Sequence, residues 1–222
     1  MVPCPGGFLL QLARHQVPLV AKRLAMFILR SKVKIADATA QWVQFGIWEP
    51  GDGSPLAVCE HDGVITVRVG PDRALLLVPE EKSEECKPDS PADDWALAEI
   101  RAGRPLIVQA TQDQFVPQMV NLELAGGVDF NKGCYPGQEI VARAQYRGAV
   151  KRRMVRLRGE ALQSGQEIFS DDAPGQASGT IVNAAGGEAL AVLPVSTIDA
   201  KSPVRTGPQC AALEVLPLPY SR

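Results

Sequence analysis

The last third of the chain places the strongest constraint on the fold. From Lys151 onward, short apolar runs alternate with turns that are rich in Gly, Pro and Asp. Gly186 and Gly187 suit a hairpin turn between two of these runs. Short runs at this spacing are typical of a small antiparallel sheet or barrel. The predicted strands are Met154 to Leu157, Glu167 to Phe169, Thr180 to Val182, Ala189 to Leu193 and Ala211 to Leu216.

The part before Gly148 mixes helical and strand patterns. Apolar residues at helical spacing after Pro18 predict a helix, and Gln41 to Trp48 reads as a strand. Val64 to Val69 and Arg73 to Val78 predict a hairpin, and Asp93 or Asp94 can cap a helix that Gly103 ends. The sequence therefore predicts an α+β fold, with one region at 1–147 and a β-barrel domain at 148–222.

Composition excludes several classes of protein. The chain has 222 residues and a formal net charge of −2, and its longest apolar runs are far too short to span a membrane. Five cysteines without a C-x-x-C pair argue against a disulfide framework, and the two histidines lack partners at metal-ligand spacing. We therefore expect no metal site and a cytoplasmic protein.

The segment from Lys132 to Glu139, K-G-C-Y-P-G-Q-E, lies before a predicted helix at about Gly137 to Arg147. Ile140 and Ala144 share one face of that helix. The backbone N–H groups of a helix N-terminus and a nearby lysine both favour the thiolate of Cys134. Two interpretations stay open: a reactive thiol, or a small residue in a tight glycine loop.

A basic segment follows, with no acidic residue between Ile140 and Gly159. Such a strip can bind phosphate groups of a nucleic acid, or it can be a set of solvent-exposed charges at a domain junction. The absence of interleaved aromatic residues favours the second interpretation. Its seven basic residues are Arg143, Arg147, Lys151, Arg152, Arg153, Arg156 and Arg158.

The Lys132–Glu139 motif resembles the K-G-C-Y-x-G-Q-E signature of the YgfZ family, folate-binding relatives of the glycine-cleavage aminomethyltransferase. The matching signature residues are Lys132, Gly133, Cys134, Tyr135, Gly137, Gln138 and Glu139. The resemblance continues in the segments Leu29 to Val33, Phe115 to Met119, Asn121 to Leu122, Val141 to Ala144, Lys151 to Arg152 and Leu216 to Tyr220.

The resemblance implies an aminomethyltransferase-like folate-binding body followed by a small β-barrel. It also implies a role in the assembly or repair of iron–sulfur enzymes, including one that thiomethylates tRNA, with tetrahydrofolate as ligand. Cys134 would be the functional thiol. Trp95 heads a W-x-L-x-x-I-x-A-G-x-P segment that the family uses to bind folate, so the resemblance makes Trp95 a folate contact.

The sequence departs from the family in two places. Family members carry a further segment before the one that begins here near Phe8, so we expect an N-terminally shortened chain with weakened folate binding. We also expect self-association through the apolar surface left uncovered. Pro136 stands where Thr is common, which stiffens the turn.

Alternative functions also stay open. They are a folate-dependent aminomethyltransferase of the glycine-cleavage type, a tRNA-binding module that uses the basic strip from Arg143 to Arg158, and a non-functional remnant. The first of these is disfavoured by the loop cysteine, where those enzymes carry an aromatic residue. Whether the chain is an enzyme is left open by the sequence.

Overall fold

The computed structural model describes residues 1–49, 51, 56–135, 137–146, 148 and 150–221. Helices and antiparallel strands both contribute, which confirms the predicted α+β class. The chain divides into two compact units, Met1–Pro91 and Ala92–Arg222. Among the residues described, no helix is both long enough and apolar enough to cross a bilayer.

The first unit contains a hairpin, one helix and a four-stranded antiparallel sheet. Its elements are β1 (Val2–Cys4), β2 (Gly7–Leu9), α1 (Val17–Ala25), β3 (Trp42–Trp48), β4 (Val58–His61), β5 (Val64–Arg68) and β6 (Arg73–Pro79). The sheet order is β3-β6-β5-β4. The predicted hairpin is confirmed as β5 and β6, which pair antiparallel, and the predicted strand before it is confirmed as β3.

Burial in this unit is concentrated on the two central strands. Ile65 and Val67 of β5 point inward, and most of β6 is buried, whereas every residue of β4 is exposed. Helix α1 buries none of its residues. Several large apolar side chains of the unit face solvent, including Phe8, Leu19, Met26, Phe27 and Leu29. Self-association through such a surface stays a prediction.

The second unit is built on a six-stranded antiparallel sheet with the order β11-β8-β9-β10-β7-β12. Its helices and strands are α2 (Ala92–Arg101), α3 (Gln138–Tyr146), β7 (Arg152–Arg158), β8 (Glu167–Ser170), β9 (Ala177–Ala185), β10 (Glu188–Pro194), α4 (Val195–Asp199), β11 (Val204–Arg205) and β12 (Glu214–Leu216). The five predicted strands of this region are all confirmed, and so are α2 and α3.

Two hydrophobic cores lie on opposite faces of this sheet because side chains alternate along each strand. On β10, Ala189, Ala191 and Leu193 belong to one core, and Leu190 and Val192 to the other. The first core also contains Ile168 of β8 and Val204 of β11. The second is covered by Ile100 of α2 and by the segment around Val120.

The sheet curls until its two edges meet. The N–H of Leu213, next to β12, donates to the carbonyl of Val204 on β11 at 2.8 Å. The turn between β9 and β10 is confirmed at Gly186 and Gly187, which both have positive φ. A Cβ on Gly186 would lie 2.8 Å from Leu97, so glycine lets α2 approach this turn closely.

The compact units divide at Pro91, whereas the sequence places a domain boundary at Gly148. Helix α2 packs on β9 and β10, and the segment Pro117–Val120 packs on β7. Residues before Gly148 therefore share the cores of the β-sheet that follows. The division into domains at 1–147 and 148–222 stays a prediction.

Candidate functional site

The loop before α3 is held by contacts among its own motif residues. Lys132 Nζ lies 4.4 Å from the centroid of the Tyr135 ring, a cation–π geometry. The N–H of Tyr135 donates to Gln138 Oε1 at 3.4 Å, and the N–H of Gln138 donates to the carbonyl of Tyr135 at 3.1 Å. Three signature residues thus fix the shape of the loop. Pro136 lies outside the described residues.

Gly137 is the position in this loop where glycine is required by conformation. Its φ is +84°, in the left-handed region that side chains with a Cβ rarely adopt. Gly133, in contrast, has open space around the position of a Cβ. The turn into α3 therefore depends on Gly137 more than on Gly133.

Helix α3 begins at Gln138, and its exposed first turn carries Glu139. Glu139 Oε1 pairs with Arg143 Nη2 at 2.8 Å, the i,i+4 spacing that the sequence predicts. The helix turns Val141 into the protein and leaves Ile140 exposed. The contact of the helix with Gln118 is made at Val141.

Cys134 is exposed, four residues before the start of α3. Within the described residues, none of the hydrogen bonds, ion pairs or ring contacts that shape the loop involves Cys134. Its thiol is therefore open to a reaction partner, while Lys132 and the N-terminus of α3 lie close to it along the chain. An accessible thiol beside positive charge can act as a nucleophile or exchange with another thiol.

A buried polar junction anchors α3, and residue patterns alone did not predict it. Gln118 and Asn121 are fully buried. Gln118 Nε2 donates to the carbonyl of Val141 at 2.7 Å, and Asn121 Nδ2 donates to the carbonyl of Met154 at 2.9 Å. These two amides tie α3 and β7 to the same short segment. Both lie in segments that resemble the YgfZ family, which was the available signal.

Arg153 completes this junction. Its Nη1 donates to the carbonyl of Gln118 at 3.0 Å and pairs with Glu123 Oε1. Both side chains of the pair are largely shielded from solvent. Burial raises the pKa of the nearby Tyr220, whose hydroxyl donates to the carbonyl of Gly103 at 2.8 Å. Arg153 therefore serves the interior of the fold rather than its surface.

Most of the predicted basic strip is neutralised by carboxylates. Arg156 and Arg158 both lie within ion-pair distance of Glu188, and Arg158 also pairs with Glu214 at 3.1 Å. Arg101 from α2 pairs with Glu188 at 2.9 Å. Together with the Arg143 and Arg153 pairs, these contacts leave Lys151 and Arg152 without a carboxylate partner among the described residues. Arg147 lies outside that part of the chain.

Glu188 is almost fully buried at the start of β10. Burial alone raises the pKa of a carboxyl group, but here the hydrogen bond from Arg101 and the charges of Arg101, Arg156 and Arg158 outweigh it. The pKa of Glu188 is therefore lowered. The carboxylate is ionised at neutral pH and holds three arginines near one end of the sheet.

Trp95 lies in the first turns of α2 and is half-buried. Its side chain already makes an interaction within the chain. The residues before it, Asp93 and Asp94, are exposed. Trp95 and the Cys134 loop are carried by different elements, and the role of Trp95 as a folate contact stays a prediction.

An open cleft of about 330 Å³ lies beside the end of α3. Ala144 and Gln145 of the helix line it on one side, and Arg153 and Val195 line it on the other. Its lining is mainly polar. In the described residues, no group of three or more His, Cys, Asp or Glu side chains is arranged to hold a metal ion.

These features define an α+β protein whose exposed loop thiol precedes a helix anchored by buried amides. Comparison with curated proteins finds a tRNA-modifying protein YgfZ from Edwardsiella ictaluri (strain 93-146), 40% identical over 137 residues. A protein of the same name from Pectobacterium carotovorum subsp. carotovorum (strain PC1) is 40% identical over 115 residues. Over about half of its length, the chain is therefore similar to proteins named YgfZ.

The match covers part of each protein. It spans 57% of this chain and 41% of the first relative, and 48% of this chain and 34% of the second. The chain thus matches less than half the length of these curated relatives. A comparison with protein-family models finds no match.

Proposed function

We propose that this chain acts in tRNA modification, as an accessory protein that supports iron–sulfur enzymes and binds tetrahydrofolate. The observation that carries the proposal is the exposed thiol of Cys134 in a loop shaped by Lys132, Tyr135 and Gln138. The two relatives reported above are named tRNA-modifying proteins. The family resemblance supplies the link to iron–sulfur enzymes.

Cys134 is the functional group of this proposal. The thiol is exposed, lies two residues from Lys132 along the chain and precedes the first residue of α3 by four residues. The loop contacts hold the backbone on both sides of Cys134, so the thiol is presented from a fixed position without being used for packing. This arrangement suits contact with a partner protein or a sulfur-containing group.

Complementation tests the role of Cys134. Cells that lack their resident family member should regain thiomethylated tRNA nucleosides, measured by mass spectrometry, when they express this chain. Cys134→Ala should abolish the recovery, because it removes the thiol and little else. The matched control is Cys59→Ala, which removes an exposed thiol from β4.

Two results would contradict the proposal. Failure of the unmodified chain to restore the nucleosides, at normal expression, would show that it lacks this activity. Full recovery with Cys134→Ala would show that the thiol is not the functional group. Circular dichroism of both variants should match the parent protein, since exposed loop and edge positions affect stability by less than about 0.5 kcal/mol.

Tetrahydrofolate is the proposed ligand, with Trp95 as one contact. Stacking on an indole quenches its fluorescence, so titration of the full chain with tetrahydrofolate should quench emission in the parent and much less in Trp95→Phe. We expect weak binding, since one aromatic wall gives few contacts. Calorimetry of both proteins checks the affinity, and equal affinities would remove Trp95 from the site.

Contact with tRNA is proposed through Lys151 and Arg152, the two members of the basic strip without a carboxylate partner in the described residues. Binding should then show a shallow salt dependence, corresponding to about two phosphate contacts rather than seven. Lys151→Gln with Arg152→Gln should remove it. If tRNA binding by the double variant still depends steeply on salt concentration, the contact lies elsewhere on the protein.

A further inference from the structure

A partly enclosed apolar cavity of about 400 Å³ lies at the end of the curled sheet, next to α4. Val155, Leu193 and Val204 line it, and all three are buried members of the first hydrophobic core. This volume falls within the range of about 300–1,000 Å³ that is typical of small-molecule sites. The proposed function above uses none of these residues.

The rim of the cavity carries a different kind of residue. Lys201 and Ser202, the residues that follow α4, line it on one side, and the exposed Val215 of β12 lines it on another. The cavity thus has an apolar interior and one polar edge with a positive charge. Ligand sites commonly combine an apolar lining with a few polar groups that orient the ligand.

Lys201 is held in an unfavourable backbone conformation. Its φ is +52°, and it follows the last turn of α4 as the residue that reverses the chain. The N–H of Lys201 donates to Ile198 O and that of Ser202 donates to Thr197 O, both at 3.1 Å. This is the Schellman pattern at a helix C-terminus, in which glycine is the usual residue at the left-handed position.

The placement of a lysine at this position needs a reason other than helix termination. A glycine there would end the helix with less strain, since a Cβ disfavours positive φ. In the described part of the chain, no carboxylate lies within ion-pair distance of Lys201. The Thr197 hydroxyl donates to Asp172 Oδ2 at 2.9 Å, and Lys201 is the charged residue among the described residues that line the cavity.

We propose that this cavity binds a small carboxylic acid with a short apolar chain, whose carboxylate pairs with Lys201 while its chain lies against Val155, Leu193 and Val204. A single ammonium and the hydroxyl of Ser202 suit a carboxylate. A phosphate group is usually bound by several arginine or backbone donors. The proposal is independent of the function assigned to the Cys134 loop.

Octanoate and octanol, added to the full chain, test both halves of the proposal. Titration followed by NMR of the methyl groups should show octanoate shifting the signals of Val155, Leu193 and Val204, with octanol binding about three- to tenfold more weakly. Val215→Trp should block the cavity mouth and remove both interactions, because Val215 is exposed at the rim.

Two variants of Lys201 separate ligand binding from folding. Lys201→Gly should weaken octanoate binding about three- to tenfold while raising the melting temperature by about 2–5 °C, since glycine relieves the strained φ. Lys201→Asn, which also tolerates positive φ, should weaken binding equally. Loss of affinity with a gain in stability is not the result of damage to the fold.

Three results would overturn the proposal. The first is the absence of methyl shifts with octanoate. The second is equal binding of octanoate and octanol, which would leave Lys201 without a role. The third is unchanged octanoate affinity in both Lys201 variants.

Discussion

Residues 1–91 and residues 92–222 each contain an antiparallel sheet, but they bury it differently. The sheet of the second unit has an apolar core on each face, and both hydrophobic clusters of the described residues lie there. In the first unit, the buried residues lie mainly on β5 and β6, whereas β4 and α1 contribute none.

The two units also differ in whether their polar side chains are buried or exposed. In the second unit, Gln118, Asn121 and Glu188 are buried, and each has a hydrogen-bonding or charged partner. In the first unit, the side-chain pairs are mainly exposed, as between Lys82 and Asp62. Buried polar groups specify one arrangement of neighbouring elements, whereas exposed pairs contribute little.

The largest expected contrast concerns core leucines. Leu190 of β10 has no exposed surface, so Leu190→Ala should lower the free energy of unfolding by about 3–5 kcal/mol through lost burial and a cavity. Leu29→Ala, at a side chain that is 87% exposed, should change it by less than about 0.5 kcal/mol. Urea unfolding measures both. A large loss at Leu29 would mean that a second copy covers it.

Ion pairs give the next contrast. Arg153→Met leaves the carboxylate of Glu123 buried without its cation. The free energy of unfolding should therefore fall by about 3 kcal/mol. The control is Arg68→Met, which removes an ion pair of 3.3 Å with the half-exposed carboxylate of Glu49. It should lower the free energy of unfolding by about 1 kcal/mol or less.

A double variant isolates the cause of the Arg153 effect. Adding Glu123→Leu to Arg153→Met removes the unpaired charge, so urea unfolding should show part of the lost stability restored. If the double variant is less stable than Arg153→Met alone, packing of the Glu123 side chain rather than its charge is responsible. The two sites are in contact, so their effects should not be additive.

The pH dependence of stability should separate Glu188 from Asp62. The pKa of Glu188 is lowered from its ordinary value of 4.5, so the unfolded chain takes up this proton first as pH falls. Its contribution to stability is complete above about pH 4.5 and is lost as pH falls through the folded-state pKa. Glu188→Gln should remove this pH dependence and lower the free energy of unfolding by about 1.5–3 kcal/mol at pH 7.

Asp62 is the exposed counterpart in the first unit. Its pKa is lowered from 3.8 mainly by the hydrogen bond and charge of Lys82. Asp62→Asn should reduce the loss of stability below pH 3.8 much less than Glu188→Gln reduces the loss below pH 4.5. Thermal unfolding at a series of pH values measures both, and equal effects would mean that burial of Glu188 adds nothing.

The smallest contrast concerns single neutral hydrogen bonds. Tyr220→Phe removes the donor to the carbonyl of Gly103 and should cost about 1 kcal/mol, because the ring of Tyr220 also covers Gly103 and keeps water out. Gln11→Ala removes an exposed bond to Gln44 and should be neutral within about 0.5 kcal/mol. Chemical denaturation of both variants provides the test, and a neutral Tyr220→Phe would argue against a shielded bond.

Elements with a clear apolar period could be predicted from the sequence. The β5–β6 hairpin, α2, α3 and the strands from β7 to β10 all follow their patterns. Strand β4 was not predicted, because it is exposed along its whole length and is held by pairing with β5. Strand β11 has two residues, and α4 five, which is too short for a period to be visible.

The site was predictable where its contacts are local. Lys132, Tyr135 and Gln138 meet within one loop, and Glu139 meets Arg143 within one helix. The basic strip was harder to interpret, since Arg153 meets Glu123 thirty residues away and Arg101 meets Glu188 across 87 residues. Spacing along the chain does not show which charges the fold will pair.

The closure of the curled sheet has a consequence for synthesis of the protein. Arg158 of β7 pairs with Glu214 of β12, which follows it by 56 residues. At about 5–20 residues per second, a ribosome needs roughly 3–11 seconds to cover that interval. During those seconds, one side of β7 has no partner strand, and the nascent chain offers an edge on which another polypeptide could pair before β12 arrives.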